Sequence, residues 1–182
     1  MKTSERIEIQ LSKTKLTLLF IGCIIFFNLG IWFVINPPKV NITIFSNPIT
    51  VFIVGLASIL FFGSIGFLIF RKLFDNSPGL IISDEGINDN SSGISIGFVP
   101  WTDVIEIKET RVANQNIICL TLKNPQDYID RQKNSIKKKS MQMNYKNFDT
   151  VVVISVNGLK CDFKELKNML YLRFNEFKNR NK

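Results

Sequence analysis

The sequence predicts a membrane α-helical hairpin of two transmembrane helices followed by an α+β domain, in which an antiparallel sheet or partly open barrel is capped by a C-terminal helix. Two uncharged stretches, residues 16–38 and 40–70, carry the first half of that expectation. The second half rests on a change of character after residue 77, where short apolar runs alternate with polar turns and the last helix repeats apolar side chains at helical spacing. A chain of 182 residues, 46% of them hydrophobic, has room for one ordinary domain beside such anchors.

The first span is expected over residues 16–35. At about 1.5 Å per residue it reaches across a hydrocarbon layer about 30 Å thick. A secretory signal peptide is the rival reading, but the apolar run exceeds an ordinary signal core and no small-residue cleavage site follows it. The second span is expected over residues 49–70, with Asn47-Pro48 at its entrance. Asn36-Pro37-Pro38 cannot continue a helix, because proline lacks the N–H donor and drives its predecessor toward extended geometry. The spans therefore form a hairpin with a short external connection over residues 36–48. Lys2, Arg6, Lys13 and Lys15 precede it, Lys39 alone lies in the connection, and Arg71 and Lys72 follow. That asymmetry places both termini in the cytoplasm, with residues 1–15 as a cytoplasmic segment. Trp32 suits the outer headgroup zone. Gly55, Ser58, Gly63 and Gly66 share one side of the second helix, and Gly22 and Gly30 are their candidate partners. Packing of the hairpin on itself is the first use of such a face, and a homo-oligomer the second. Neither span holds an Asp, Glu, Lys or Arg, which argues against a transporter.

Residues 77–182 are expected to form the domain. Strands are predicted at 79–83 and 86–90, joined at Asp84-Glu85. Ile94, Ile96 and Phe98 then alternate with Ser95, Gly97 and Val99, the period of a half-buried strand. Phe98 and Trp101 read as core or rim aromatics. Residues 104–110 and 117–123 form a hairpin around Ala113-Asn114-Gln115-Asn116. A short helix over 125–132 is expected to be capped by Asn124, with Pro125 in its first turn and Asp127 against its dipole. Residues 133–148 read as a mobile loop or an extension of that helix. A strand over 151–156 ends at Asn157-Gly158, a turn returning into Leu159 and Lys160. Asp162 and Glu165 form a capping box for the last helix, whose Phe163, Leu166, Leu170, Phe174 and Phe177 cover the sheet. Near the N-terminus, Ile7, Ile9 and Leu11 alternate with Glu8 and Gln10, so residues 6–11 are expected to add a strand to an edge of the domain.

Function classes are bounded mainly by what is missing. The chain has no histidine, so it has no Ser-His-Asp or Cys-His pair, no imidazole ligand and no imidazole switch near neutral pH. Cys23, Cys119 and Cys161 are widely spaced, which suggests neither a zinc site nor a disulfide framework, and points to a reducing compartment. Cys161 lies beside a helix N-terminus, but Asp162 opposes thiolate formation, and both it and Cys119 read as core. No catalytic, cofactor-binding or metal-binding residue is expected, and the chain is read as non-enzymatic. The net charge of +8 accompanies a bias toward Ile, Asn, Lys and Phe, a pattern that AT-rich coding alone is able to produce without a functional cause. Arg71, Lys72, Arg131, Lys133, Lys137, Lys138 and Lys139 are the candidate lipid-headgroup contacts, because cations within a Debye length of an anionic leaflet are attracted to it. A solvated charge run is the plain alternative, and topology alone already accounts for Arg71 and Lys72. After Phe70 there are 18 Lys and Arg against 13 Asp and Glu, too balanced for a nucleic-acid partner.

Three segments carry a family resemblance: Gly79-Leu-Ile-Ile-Ser-Asp-Glu-Gly86-Ile, Val99-Pro100-Trp101-Thr-Asp103-Val-Ile105, and Leu159-Lys-Cys-Asp-Phe163-Lys-Glu-Leu166. Following a membrane hairpin, they resemble the bacterial pleckstrin-homology-like (PH-like) domains over most of residues 78–178. The segment Ile7-Glu-Ile-Gln-Leu-Ser-Lys-Thr-Lys15-Leu is similar to that of small bacterial two-pass membrane proteins with the same layout. The resemblance implies about seven short antiparallel strands closed by one helix. It also implies a binding or scaffold module on the cytoplasmic face of the bacterial inner membrane, partnered by membrane lipids and a membrane or cytoplasmic protein, with no group-wide activity. A lipid sensor that uses the lysine-rich loop is the alternative function.

Overall fold

The computed structural model describes residues 6–37, 47–92 and 95–181. The chain divides into two compact units, one of residues 13–75 and one that joins the N-terminal segment through Ser12 to everything from Asn76 onward.

The first unit is a pair of packed helices, α1 (Lys13–Ile35) and α2 (Pro48–Leu73), both long and apolar enough to cross a membrane. Proline at the first position of α2 loses nothing, since that N–H has no helical partner, and the Asn47 side chain accepts from the Ile49 N–H at 2.9 Å. α1 starts three residues before the expected span because Lys13 has a local use. Its ammonium donates to the carbonyls of Leu73 at 2.8 Å and Lys72 at 3.2 Å, and to that of Asp75, satisfying the end of α2. The helices meet through small residues: a Cβ on Gly55 would lie 2.8 Å from the Gly30 carbonyl oxygen, and one on Gly30 would lie 2.9 Å from the Gly55 oxygen. Ser58 adds a hydroxyl donation to the Phe26 carbonyl at 3.0 Å, and Gly63 makes room for the Phe27 ring. The small face is thus spent inside the hairpin. Gly22 does not join it, having no neighbour within 4 Å of a notional Cβ. The expected connection over 36–48, with Pro38 and Lys39, lies mostly outside the described residues.

The second unit holds two antiparallel sheets. Strands β1 (Ile7–Ile9), β2 (Leu80–Ile82), β3 (Gly86–Asp89) and β4 (Gly97–Pro100) pair in that order. Strands β5 (Val104–Val112), β6 (Gln115–Leu122) and β7 (Val152–Ile154) form the other sheet. The N-terminal segment supplies the expected edge strand, with Ile7 opposite Ile82 and Ile9 opposite Leu80. Leu80 and Ile82 are fully buried, as is Ile87 beside them, while Ile81 and Asn88 turn outward, the alternation a one-sided sheet requires. Gly86 admits the crossing of β4, since a Cβ there would stand 2.3 Å from the Val99 oxygen. β5 and β6 meet at a two-residue turn, Ala113-Asn114, both at positive φ, shorter than the four polar residues expected. Two such residues match the right-handed strand twist, and the strands extend accordingly.

Helix α5 (Phe163–Arg180) has the expected Asp162–Glu165 capping box, and Leu166, Leu170 and Phe174 enter the core. Trp101 is buried against Phe174 at 5.7 Å between ring centroids, with its indole N–H on the Ser83 carbonyl at 2.8 Å.

Four expectations are corrected. β4 does not keep the alternation expected around residue 96: Val99 and Ser95 are buried and Phe98 is 48% exposed, because Gly97 at φ +87 breaks the extended path (Ile94 lies outside the described residues). The short helix is α3 (Pro125–Asp130), and no side-chain hydrogen bond from Asn124 caps it. Residues 133–148 are no loop: α4 (Ser135–Phe148) is a separate helix, capped by Asn134 accepting from Ile136 at 2.9 Å and Lys137 at 3.1 Å, with Met141 buried on its inner side. Asn157-Gly158 forms part of a 3-10 turn (Val156–Gly158), after which Leu159 bridges to Leu11 instead of folding back on its own strand.

Candidate functional site

The seven cations singled out from the sequence fall in two places. Arg71 and Lys72 close α2, where a positive charge complements the helix dipole, and Lys72 pairs with Asp75 at 2.9 Å. Arg131, Lys133, Lys137, Lys138 and Lys139 lie in or beside α3 and α4 of the other unit.

Within that second group the chemistry differs residue by residue. Tyr128 is buried and donates its hydroxyl to Asp103 at 2.5 Å, while the Arg131 guanidinium lies over its ring at 3.7 Å. Burial, and then the Asp103 carboxylate that accepts its hydrogen bond, push the phenol up to about 12. Arg131 is therefore a lid on a packed tyrosine as much as a surface charge. Lys137 turns inward, its ammonium donating to the Ser95 carbonyl at 3.1 Å. Lys138 pairs with Asp130 at 3.1 Å, tying α4 to α3, and the Gln126 side-chain N–H with that lysine holds the Asp130 carboxyl below its ordinary range. Lys133 and Lys139 are exposed. The structure thus brings five cations onto one helical insertion, but commits Lys137 and Lys138 to holding it together.

A second surface was not read from the sequence. On the outer face of the four-stranded sheet, Arg6, Ile81, Ser83, Glu85, Asn88 and Phe98 line an open groove of about 290 Å³. Pairing sets Glu8 opposite Ile81, Ile81 opposite Asn88 and Asn88 opposite Phe98, so one row of outward side chains crosses all four strands. Arg6 pairs with Glu8 at 2.8 Å along its edge. The sequence signal for this row is slight: Ile81, Ser83 and Glu85 stand two apart, but Asn88 and Phe98 come from separate strands, and the edge strand that completes the row lies some seventy residues away in the chain.

The groove's floor is held from below. The Trp101 backbone N–H reaches the Glu85 carbonyl at 3.0 Å. Arg180 grips Asp84 with two bonds of 3.1 Å, and Arg173 lies 3.6 Å from the same carboxylate. The Arg180 hydrogen bond is the main cause that holds the Asp84 carboxyl below its ordinary range. Burial pushes the Cys119 thiol up, and Cys161 packs at the margin of the core, so neither is set up as a nucleophile. Among the described residues no group of three or more Cys, Asp or Glu converges as a metal site. Comparison of the chain with family models, with curated proteins and with solved structures gives no match.

Proposed function

We propose that this chain is a two-pass inner-membrane protein of bacteria whose hairpin tethers a PH-like binding module at the cytoplasmic face, working as a protein-interaction or scaffold component and not as a catalyst. One observation carries the reading: β1 precedes α1, β2 follows α2, and the two strands pair. A sheet closed from both flanks of a hairpin requires both flanks on one side of the bilayer, and two spans deliver them there. Arg6, Lys13, Lys15, Arg71 and Lys72 at the flanks favour the cytoplasmic side. Seven antiparallel strands in sheets of four and three, closed by a capped C-terminal helix, support the PH-like assignment, with α3 and α4 as an insertion between β6 and β7. The open row across the four-stranded sheet is the module's binding face, because its polar rim and single exposed aromatic, Phe98, suit a protein partner better than a small substrate.

Proximity labelling in the native membrane, with the label fused after Lys182, tests this. Recurrent labelling of one membrane complex is expected. Diffuse cytoplasmic labelling contradicts the scaffold role, and labelling outside the cytoplasm contradicts the topology.

A further inference from the structure

Helix α4 has a face that the fold does not use. Ile136, Lys139, Met143 and Lys146 recur at intervals of three, four and three residues, which places them along one side of the helix, and all four are exposed. Ile136 is 67% exposed and Met143 is 60% exposed, whereas Met141, on the opposite side, is 2% exposed. The helix carries four lysines and no acidic residue. Its inward lysines are engaged, Lys137 on the Ser95 carbonyl and Lys138 on Asp130, and Lys139 and Lys146 flank the two apolar side chains. Lys133 stands exposed just before the Asn134 cap.

We infer that this face of α4 seats on an anionic lipid surface, with Ile136 and Met143 entering the headgroup region and Lys133, Lys139 and Lys146 pairing with lipid phosphates. Apolar side chains ringed by unopposed cations match a surface that is apolar a few ångströms below an anionic rim, and a helix of this kind lies in that interface. Such contact is weak for one short helix alone. A chain anchored beside the bilayer by two spans holds the face at high local concentration, so weak contact suffices. The inference rests on the membrane reading above. Of the seven candidate headgroup contacts this face keeps Lys133 and Lys139, and it adds Lys146 and two apolar residues.

The test uses the full chain in nanodiscs of phosphatidylcholine, with and without phosphatidylglycerol. Nitroxide labels are placed singly at Met143→Cys, at Leu172→Cys as an exposed apolar control on α5, and at Phe61→Cys within α2, all in a Cys161→Ser background. The readout is the accessibility of each label to oxygen relative to a water-soluble nickel chelate. With phosphatidylglycerol, the ratio at position 143 is expected to rise several-fold above that at 172. It should fall back in phosphatidylcholine alone, at high salt, and in the triple variant Lys133→Gln, Lys139→Gln, Lys146→Gln. A water-like ratio at 143 beside a deep one at 61 overturns this inference and leaves the membrane reading intact. A water-like ratio at 61 overturns both. Shielding of 143 from both reagents means that a protein covers the face, and overturns the lipid assignment.

Discussion

The two units of this protein distribute small and large side chains between inside and outside in opposite ways. In the hairpin the small residues lie inside, Gly30 against Gly55, while Leu18, Phe61 and Phe67 face outward. In the β-rich unit Trp101, Leu80, Ile118 and Leu166 lie inside and the outward positions are mostly polar. In water the second arrangement is stabilising and the first is costly, at about 25 cal/mol for each Å² of apolar surface left wet. In lipid, large apolar side chains gain nothing by leaving the surface, and close backbone approach becomes the way helices hold together. The contrast is the one expected of a chain whose two units meet different solvents, and it supplies the physical ground for the proposed membrane hairpin.

The largest loss is expected in the core of the β-rich unit. Trp101→Ala removes the ring against Phe174 and the bond to Ser83, and should cost about 3–5 kcal/mol there. Hydrogen exchange of the full chain should show β2, β3 and α5 losing protection while α1 and α2 keep theirs; equal loss in both units would mean that they unfold together.

The converse change is Gly55→Val. It drives a branched side chain against the Gly30 carbonyl, Phe33 and Val34, and should cost about 1–3 kcal/mol by overpacking. Cysteines placed across α1 and α2 should then cross-link more slowly, with protection in the β-rich unit unchanged.

A smaller effect concerns the latch between α5 and the β2–β3 turn. Because the folded Asp84 carboxyl sits below its ordinary value, its contribution is fully present above that value, about 3.9. It is lost as the pH falls through the depressed folded value. Asp84→Asn should therefore lower the thermal midpoint of the β-rich unit at neutral pH and leave it nearly unchanged in acid. A constant difference across pH would assign the loss to packing instead.

The smallest expected change is a gain. Ala113 occupies a left-handed position at φ 44, where a plain Cβ is strained. Ala113→Asn should stabilise the β5–β6 hairpin by about 0.5–1 kcal/mol, seen as a rise in the thermal midpoint with the hairpin unit unaffected.

How much of this was legible depends on whether the deciding partner was local. The two long apolar helices could be read because an uncharged run is a local property, and the capping box of α5 because Asp162 and Glu165 are three residues apart. For residues 133–148 a loop and an extended helix read equally well, because four lysines leave a single buried anchor, Met141; that α4 is a separate helix follows from the Asn134 cap. The return at Asn157-Gly158 was misread because the partner that captures Leu159 is Leu11, from the far end of the chain. The same distance hid the groove, whose edge is Arg6 and whose far side is Phe98. The phase of β4 was lost to one backbone angle at Gly97.

Pairing of the two flanks of the hairpin in one sheet is open to a direct chemical test in membranes that hold the chain. Glu8 and Ile81 are paired across β1 and β2 on the outer face, so Glu8→Cys with Ile81→Cys should form an intramolecular disulfide under mild oxidation, in a Cys161→Ser background. That pair should cross-link efficiently, with little cross-linking when the second cysteine is placed at Asn116, in the other sheet. Failure to cross-link at that pair or at neighbouring registers would contradict the pairing, and with it the argument that both ends of the chain share one side of the membrane.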